Sequence, residues 1–220
     1  MPNVDFFSSL HTSTKRDYVG RVTEFSKAEA AKVAKLFGKE YWDGDRKYGY
    51  GGYRYDGRHR PIAEKIAAHY NLQPGQKVLD IGCGKAFLLY ELTQVVPGLV
   101  VAGVDVSEYG LENAKEEVRP FLQKASATSL PFADGEFDLV YSIMTFHNLY
   151  NFELYKALQE MMRVGRKDRY IYVESYRTEE EKANLLYWQL TCESFYTPEE
   201  WEWFFNLAGY KGDYAFGFFG

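Results

Sequence analysis

The sequence predicts an α/β protein, a three-layer sandwich in which helices cover both faces of a mostly parallel sheet of six or seven strands. Two observations lead to this fold class. Short, continuously apolar runs begin near residue 77 and alternate with amphipathic stretches. Strands that are apolar throughout are typical of a parallel sheet buried on both faces, and alternating strands and helices are typical of layered α/β folds.

The individual elements follow from local signals. Ser26 and Glu29 form a capping box for a helix ending near Phe37, and Pro61 opens a second helix ending near Tyr70. Strands are then predicted at 78–82, 99–106, 137–144 and 169–175, with a short third strand before Ala127 and a final strand at 210–219. Helices are predicted at 86–96, 108–118, 151–164, 178–190 and 197–209. One strand fits after the last helix.

Composition excludes several classes of protein. Lys and Arg total 26 against 31 Asp and Glu, a net charge of −5, so the chain has no excess of cations for a nucleic-acid partner. It has neither an apolar run of the ~18 residues that a membrane span needs nor a signal peptide at its start. Two cysteines, 109 residues apart, exclude a disulfide framework and a cysteine zinc site. We therefore expect a cytoplasmic protein without membrane or nucleic-acid partners.

Aromatic residues concentrate on either side of the predicted sheet region. Six lie between Tyr41 and Tyr55, thirteen between Tyr187 and Phe219, and seven between Lys77 and Thr145. Residues 43–61, here called the Gly/Tyr segment, alternate glycine with tyrosine and carry several arginines. Its glycines disfavour a helix, whereas tyrosine and arginine are suited to ligand contact.

We expect residues 1–60 to form a cap across the carboxyl edge of the sheet, with the Gly/Tyr segment as a lid over a ligand, and residues 61–220 to form the main domain. A flexible linker is the alternative, but linkers seldom carry so many aromatics. The segment residues expected to contact the substrate are Tyr50, Tyr53, Tyr55, Arg58 and His59, and Tyr48 is expected beside them.

The strongest chemical signal is VLDIGCGKAF at 78–87, where a buried strand runs through Gly82-Cys83-Gly84 into a helix. Glycines permit a tight turn and a close approach of a ligand to backbone amides. The next strand ends in Asp105, 25 residues after Asp80, where doubly wound sheets bind ribose hydroxyls. The alternatives are a purely structural turn and a helix-capping Asp105, although Ser107 is better placed to cap.

A dinucleotide site is excluded. Its G-x-G-x-x-G pattern requires a third glycine at position 87, which is Phe87, and the negatively charged Asp80 heads the loop where a pyrophosphate would lie.

Four motifs together carry a family resemblance: DIGCGKAF, GVDVS, ASATSLPFADGEFDLVYS and TPEEWEWFFNLAGY. In order and spacing, residues 61–215 resemble the class I S-adenosylmethionine-dependent methyltransferases, whose fold is Rossmann-like. The resemblance implies S-adenosylmethionine as cofactor. It implies that Asp80 and the loop Gly82-Cys83-Gly84 hold its amino-acid part, and that Asp105 binds its ribose.

The same resemblance places the adenine between Val106 and Ala127 and the methionine arm along the Ser142 region. The chain departs from the family at Ser126, where an Asp usually accepts the adenine amino group. It also departs in its predicted sheet, because the family normally closes with an antiparallel pair of strands. A seventh strand is therefore expected to be missing or very short.

Methyl transfer from a sulfonium is an in-line displacement, so the protein mainly aligns the reactants and needs a base only for protonated acceptors. The candidate catalytic residues are His147, which follows the fourth predicted strand, and Glu174, at the end of the fifth, both at the carboxyl edge of the sheet. Each has a structural alternative: a loop hydrogen bond for His147 and an ion pair with Arg177 for Glu174. No metal is expected, because the histidines lack ligand spacing: His11, His59, His69 and His147.

These observations predict methyl transfer to an oxygen or nitrogen of a small, anionic metabolite, such as a glycan or secondary-metabolite intermediate. A protein or peptide methyltransferase with an open groove and a non-catalytic cofactor-binding module are the alternatives. The sequence leaves the oligomeric state open, a dimer included.

Overall fold

The structure, a computed structural model, describes residues 2–7 and 16–220 of the chain. Residues 1 and 8–15, His11 among them, lie outside these residues. Within them, a sheet of six strands, all parallel, has the order β3-β2-β1-β4-β5-β6. The strands are β1 Lys77–Ile81, β2 Val100–Asp105, β3 Leu122–Lys124, β4 Phe137–Ile143, β5 Gly165–Glu174 and β6 Asp213–Gly217.

Helices connect these strands and cover the sheet. They are α1 Gly20–Thr23, α2 Lys27–Ala34, α3 Lys39–Asp43, α4 Arg60–His69, α5 Phe87–Val95, α6 Glu108–Glu112, α7 Asn151–Val164, α8 Glu179–Trp188 and α9 Pro198–Leu207. The predicted capping box at Thr197 forms in full, because Thr197 accepts from the Glu200 amide and the Glu200 carboxylate accepts from the Thr197 amide. At Ser26 one half forms: Ser26 accepts from the Glu29 amide, whereas the Glu29 carboxylate accepts from Lys32.

Two apolar layers confirm the predicted three-layer architecture. On one face of the sheet, Val78 of β1 packs in a cluster with Ile66 of α4 and Leu89 of α5. On the other face, the adjacent Leu79 packs with Leu158 of α7 and Phe205 of α9. Consecutive strand residues point to opposite faces, so a strand must be continuously apolar when both faces are covered.

One helix is shorter than the sequence predicts, whereas the last strand of the sheet agrees with the prediction. The helix predicted over 108–118 ends at Glu112, because the following residues turn back and the Lys115 amide donates to the Lys85 carbonyl at 3.4 Å. At the other end, β6 pairs directly with β5. No antiparallel seventh strand is present in residues 2–7 and 16–220, which agrees with the single strand predicted after α9.

The described N-terminal residues cover the outer edge of β6. Asn3 forms a parallel bridge with Tyr214, and the Val4 amide donates to the Tyr214 carbonyl at 2.8 Å. Phe6 and Phe7 then pack on the ring of Tyr170, with centroids 4.9 and 6.3 Å away. An unpaired strand edge is a template for unwanted pairing, and this contact blunts it.

The parallel arrangement determines where functional side chains meet. All six strands place their carboxyl ends at one edge, so the residues after β1, β2, β4 and β5 converge there. No helix in the described part of the chain is long and apolar enough to cross a membrane.

Candidate functional site

The glycine loop after β1 requires glycine at two positions. Gly82 has a φ of +83°, and a Cβ there would overlap the hydroxyl of Thr145. Gly84 has a φ of +53°, and a Cβ there would lie 2.5 Å from Cη2 of Trp42. Both glycines therefore combine left-handed backbone with close packing, which no other residue accommodates without a shift.

Asp105 is held beside this loop by backbone amides. Its Oδ2 accepts from the Gly84 amide and its Oδ1 from the Ser107 amide, each at 2.7 Å. Burial raises the pKa of Asp105 in spite of these bonds. The carboxylate is thus fixed at the end of β2, with lone pairs left for a ligand hydroxyl.

Asp80 lies one strand away and is almost fully buried. It pairs in register with Gly103 of β2 and Tyr141 of β4, at the centre of the sheet. Burial, with a smaller contribution from the nearby charge of Asp105, raises its pKa to about 8. A carboxyl group in such a position favours a cationic ligand group, which would restore its charge.

A cavity of about 430 Å³ joins the glycine loop to the Gly/Tyr segment. Its volume is within the range of small-molecule sites. The predicted site residues that line it are Tyr50, Tyr53, Arg58, His59, Asp80, Gly82, Cys83, Gly84, Asp105, Val106, Ser126, Ala127 and Glu174. Three predicted site residues do not line it: Tyr55, Ser142 and His147.

Tyr55 and Ser142 form hydrogen bonds outside the cavity. The Tyr55 hydroxyl donates to Oε1 of Glu91 at 2.5 Å, and the Ser142 hydroxyl donates to the Ile81 carbonyl at 2.9 Å beneath the loop. Ile143, Met144 and Thr145 line the cavity instead of Ser142. Tyr48, expected beside the other tyrosines, packs on Phe25 outside the cavity.

His147 and Glu174 lie together, but one of the two reaches the cavity. His147 is 2% exposed, its Nδ1 accepts from the Glu174 amide at 3.3 Å, and its Nε2 lies 3.5 Å from Glu174 Oε2. Burial lowers the pKa of His147 to about 3, so the ring is neutral. Of the two residues, Glu174 lines the cavity and His147 does not.

Glu174 ends β5 and faces the cavity. Its Oε1 accepts from the Gln189 side-chain amide, whereas the buried Oε2 has no hydrogen-bond partner among the described residues. Burial raises the pKa of Glu174 to about 8. A buried carboxyl oxygen without a partner is costly unless a ligand satisfies it, which marks this side chain as a functional group.

An ion pair fastens the Gly/Tyr segment to the main domain. Lys85 Nζ donates to both carboxylate oxygens of Asp43, at 2.8 and 2.7 Å, and to the Tyr53 carbonyl at 2.8 Å. The Tyr109 hydroxyl and the Tyr53 amide also donate to Asp43, at 2.9 and 3.1 Å. Next to this pair, Trp42 Nε1 donates to the Ser107 hydroxyl at 2.7 Å.

Sequence reasoning missed several cavity residues. Three arginines line the cavity around the ring of Trp188: Arg16, Arg21 and Arg46. Gln189, which also lines the cavity, donates its side-chain amide to Glu174. Arg46 lies in the Gly/Tyr segment and Trp188 in the aromatic-rich end of the chain, so the unusual composition of these two stretches was a signal for both residues. Arg16 and Arg21 carried no local signal.

The cavity fits an S-adenosyl cofactor. The glycine loop lines the cavity, a carboxylate held by backbone amides ends β2, and a buried acid lies at the centre of the sheet. No cluster of three or more potential metal ligands occurs in residues 2–7 and 16–220. The fold and this site together define a Rossmann-like nucleoside-binding domain.

Comparison with known proteins makes this assignment specific. Residues 79–173 match the methyltransferase domain family. An uncharacterized methyltransferase of Synechocystis sp. is 36% identical over 94 residues, 42% of this chain and 43% of that protein. Demethylmenaquinone methyltransferase of Staphylococcus carnosus is 30% identical over 144 residues, 63% of this chain and 58% of that protein. The chain thus spans about half the length of these curated relatives.

Solved structures agree in fold. The YcgJ protein of Bacillus subtilis superposes with a TM-score of 0.55 at 21% identity, covering 70% of this chain and 68% of that one. A methyltransferase of Thermotoga maritima, described as S-adenosylmethionine-dependent and as a possible histamine N-methyltransferase, gives 0.50 at 25% identity, covering 68% and 70%. Residues 79–173 therefore form a methyltransferase domain with the fold of the class I S-adenosylmethionine-dependent enzymes, and S-adenosylmethionine is the cofactor that these matches imply.

Proposed function

We propose that this protein transfers the methyl group of S-adenosylmethionine to an oxygen or nitrogen atom of a small, anionic metabolite. The observation that carries the proposal is the continuous cavity that runs from the glycine loop and Asp105 to Glu174 beneath the Gly/Tyr segment. A cavity of this kind suits a compact acceptor better than a polymer, which would need an open groove.

The residues of the glycine end would bind the cofactor. Asp105, already fixed by two amides, would accept hydrogen bonds from the ribose hydroxyls. Asp80 would face the cationic amino-acid part, and Val106 and Ala127 would lie on either side of the adenine. When bound, S-adenosylmethionine supplies an electrophilic methyl group on a sulfonium.

Glu174 is the candidate base. Glu174 lines the cavity, and its buried Oε2 has no hydrogen-bond partner in the described residues, so the carboxylate can accept a proton from an acceptor hydroxyl or ammonium. His147, the other predicted base, does not line the cavity and would act as a positioning residue. Its Nδ1 bond to the Glu174 amide holds the end of β5 in place.

The Gly/Tyr segment would act as the lid. Tyr50 and Tyr53 line the cavity, with ring centroids 4.6 Å apart, and Tyr53 stacks on Phe87 at 5.0 Å. Closure over both ligands would exclude water and hold the acceptor in line with the methyl group.

Calorimetry with S-adenosylhomocysteine and a methyl-transfer screen against small acids, amines and sugars test the proposal. We expect saturable binding by the wild-type protein, loss of binding in Asp105→Ala, and normal binding in Asp134→Ala, whose side chain is 82% exposed. Absence of binding by the wild-type protein would refute the cofactor assignment. Binding together with turnover on peptides but not on small molecules would refute the acceptor class, and binding without any turnover would indicate a non-catalytic module.

A further inference from the structure

The cavity wall near Glu174 gathers three arginine side chains around one tryptophan ring. The guanidinium carbons of Arg21, Arg46 and Arg16 lie 4.6, 5.2 and 5.5 Å from the centroid of the Trp188 ring. All four residues line the cavity. Here they are called the arginine cluster.

Backbone carbonyls hold the cluster without neutralising it. Arg21 donates from Nε to the Trp188 carbonyl at 2.8 Å and from Nη1 to the Arg46 carbonyl at 3.2 Å. Arg46 donates from Nη1 to the carbonyls of Gly49 and Tyr50, both at 2.9 Å. These bonds fix the guanidinium groups in position, but a neutral carbonyl leaves their charge in place.

Carboxylate partners are missing from the cluster. Within residues 2–7 and 16–220, none of the three arginines forms an ion pair, whereas Arg58, on another part of the cavity wall, pairs with Asp56. Arg16 Nε is buried and has no hydrogen-bond partner in the same residues. Several of the fifteen N–H donors that three guanidinium groups carry are therefore available to a ligand.

The electrostatics of the cluster show that these charges repel one another. Burial, followed by the charge of Arg46, lowers the pKa of Arg21 to about 10. Burial and the charge of Arg16 lower the pKa of Arg46. A guanidinium group in a protein keeps its charge at neutral pH, so the free protein holds three positive charges close together.

We propose that the arginine cluster binds an anionic group of the methyl acceptor, a phosphoryl or carboxylate group. Guanidinium forks bind such groups through paired, charge-assisted hydrogen bonds, and an anion would relieve the repulsion within the cluster. Arg16 also lies close enough to Glu174 to act on its charge, so an acceptor held by the cluster would present its nucleophile beside the candidate base. This inference rests on the proposed function for the identity of the ligand as the acceptor.

Inorganic phosphate and acetate are the probes, titrated into the full-length protein with binding followed by calorimetry and by thermal unfolding. We expect phosphate or acetate to raise the unfolding temperature of the wild-type protein. In Arg21→Gln and Arg46→Gln, the affinity for that anion should fall by about tenfold or more, the equivalent of one charge-assisted bond. Arg54→Gln is the matched control, since Arg54 is exposed, belongs to the Gly/Tyr segment and lies outside this cavity.

The stability of the variants without any anion separates a binding role from a structural one. Removing one of three repelling charges should leave Arg21→Gln and Arg46→Gln at least as stable as the wild-type protein. The proposal would be overturned if the variants unfolded at a lower temperature than the wild-type protein and neither anion bound to the wild-type protein. That result would show that the arginines only pack on Trp188.

S-adenosylhomocysteine is titrated in the same series so that the two proposals can fail separately. Binding of S-adenosylhomocysteine without binding of either anion would overturn the arginine-cluster proposal and leave the cofactor assignment intact. Binding of an anion without S-adenosylhomocysteine would refute the proposed function, while the cluster would stand as an anion site.

Discussion

Replacement of Asp43 by alanine should open the Gly/Tyr segment without unfolding the sheet. Lys85 is 5% exposed and Asp43 24%, so the substitution leaves a buried ammonium group whose remaining partner is the Tyr53 carbonyl. Breaking a fully buried pair costs about 3–5 kcal/mol, and the partial exposure of Asp43 reduces this to roughly 3 kcal/mol. If that cost acts on the segment alone, its open population increases by about a hundredfold.

Amide hydrogen exchange measures this opening directly. The amides of Tyr50 and Gly52 donate to the carbonyls of Tyr41 and Trp42, at 2.9 and 3.1 Å, and report on closure of the segment. We expect their protection to fall by about a hundredfold in Asp43→Ala, while the amides of β1 and β4 keep theirs.

Two comparisons make the result decisive. Glu40→Ala removes a carboxylate from the same short helix, but Glu40 is exposed, so protection should stay at the wild-type level. Asp43→Leu combined with Lys85→Met removes both charges and should recover much of the lost protection, because no charge is left buried alone. Equal exchange in Asp43→Ala and Glu40→Ala would refute the role of this ion pair.

Three further predictions concern the site itself. Burial raises the pKa of Asp80 to about 8, and a cationic ligand binds the ionised carboxylate better than the neutral acid. The affinity for S-adenosylhomocysteine should therefore increase with pH up to about 8 and then level off. Calorimetry should show that this pH dependence is lost in Asp80→Asn. If Glu174, also with a pKa of about 8, is the base, kcat/KM should rise with pH through that value, and steady-state assays of Glu174→Gln should show a loss of about a hundredfold or more. Gly84→Ala should weaken cofactor binding, because the added Cβ would displace Trp42. Gly75→Ala is the control: Gly75 also has a positive φ, +86°, but no atom lies within 4 Å of the added Cβ, so this variant should lose stability alone. Equal cofactor binding by both variants would contradict this prediction.

The sequence alone determined the features that are encoded within short stretches of chain. Neighbouring residues specify three such features: the strand-loop-helix unit around Gly82 and Gly84, the acid at the end of β2, and the helix N-caps at Ser26 and Thr197. Strand polarity then follows from the alternation of elements, so the convergence of Asp80 and Asp105 at one edge could be predicted.

Tertiary structure decided which side chains face the ligand and what charge they carry. His147 and Glu174 looked equivalent in sequence, because both lie at the carboxyl end of a strand, but in the structure Glu174 lines the cavity and His147 does not. The arginine cluster unites residues 16, 21, 46 and 188, and the Asp43–Lys85 pair joins two positions 42 residues apart. Burial and electrostatic environment are sums over such distant neighbours, so no local pattern in the chain records them.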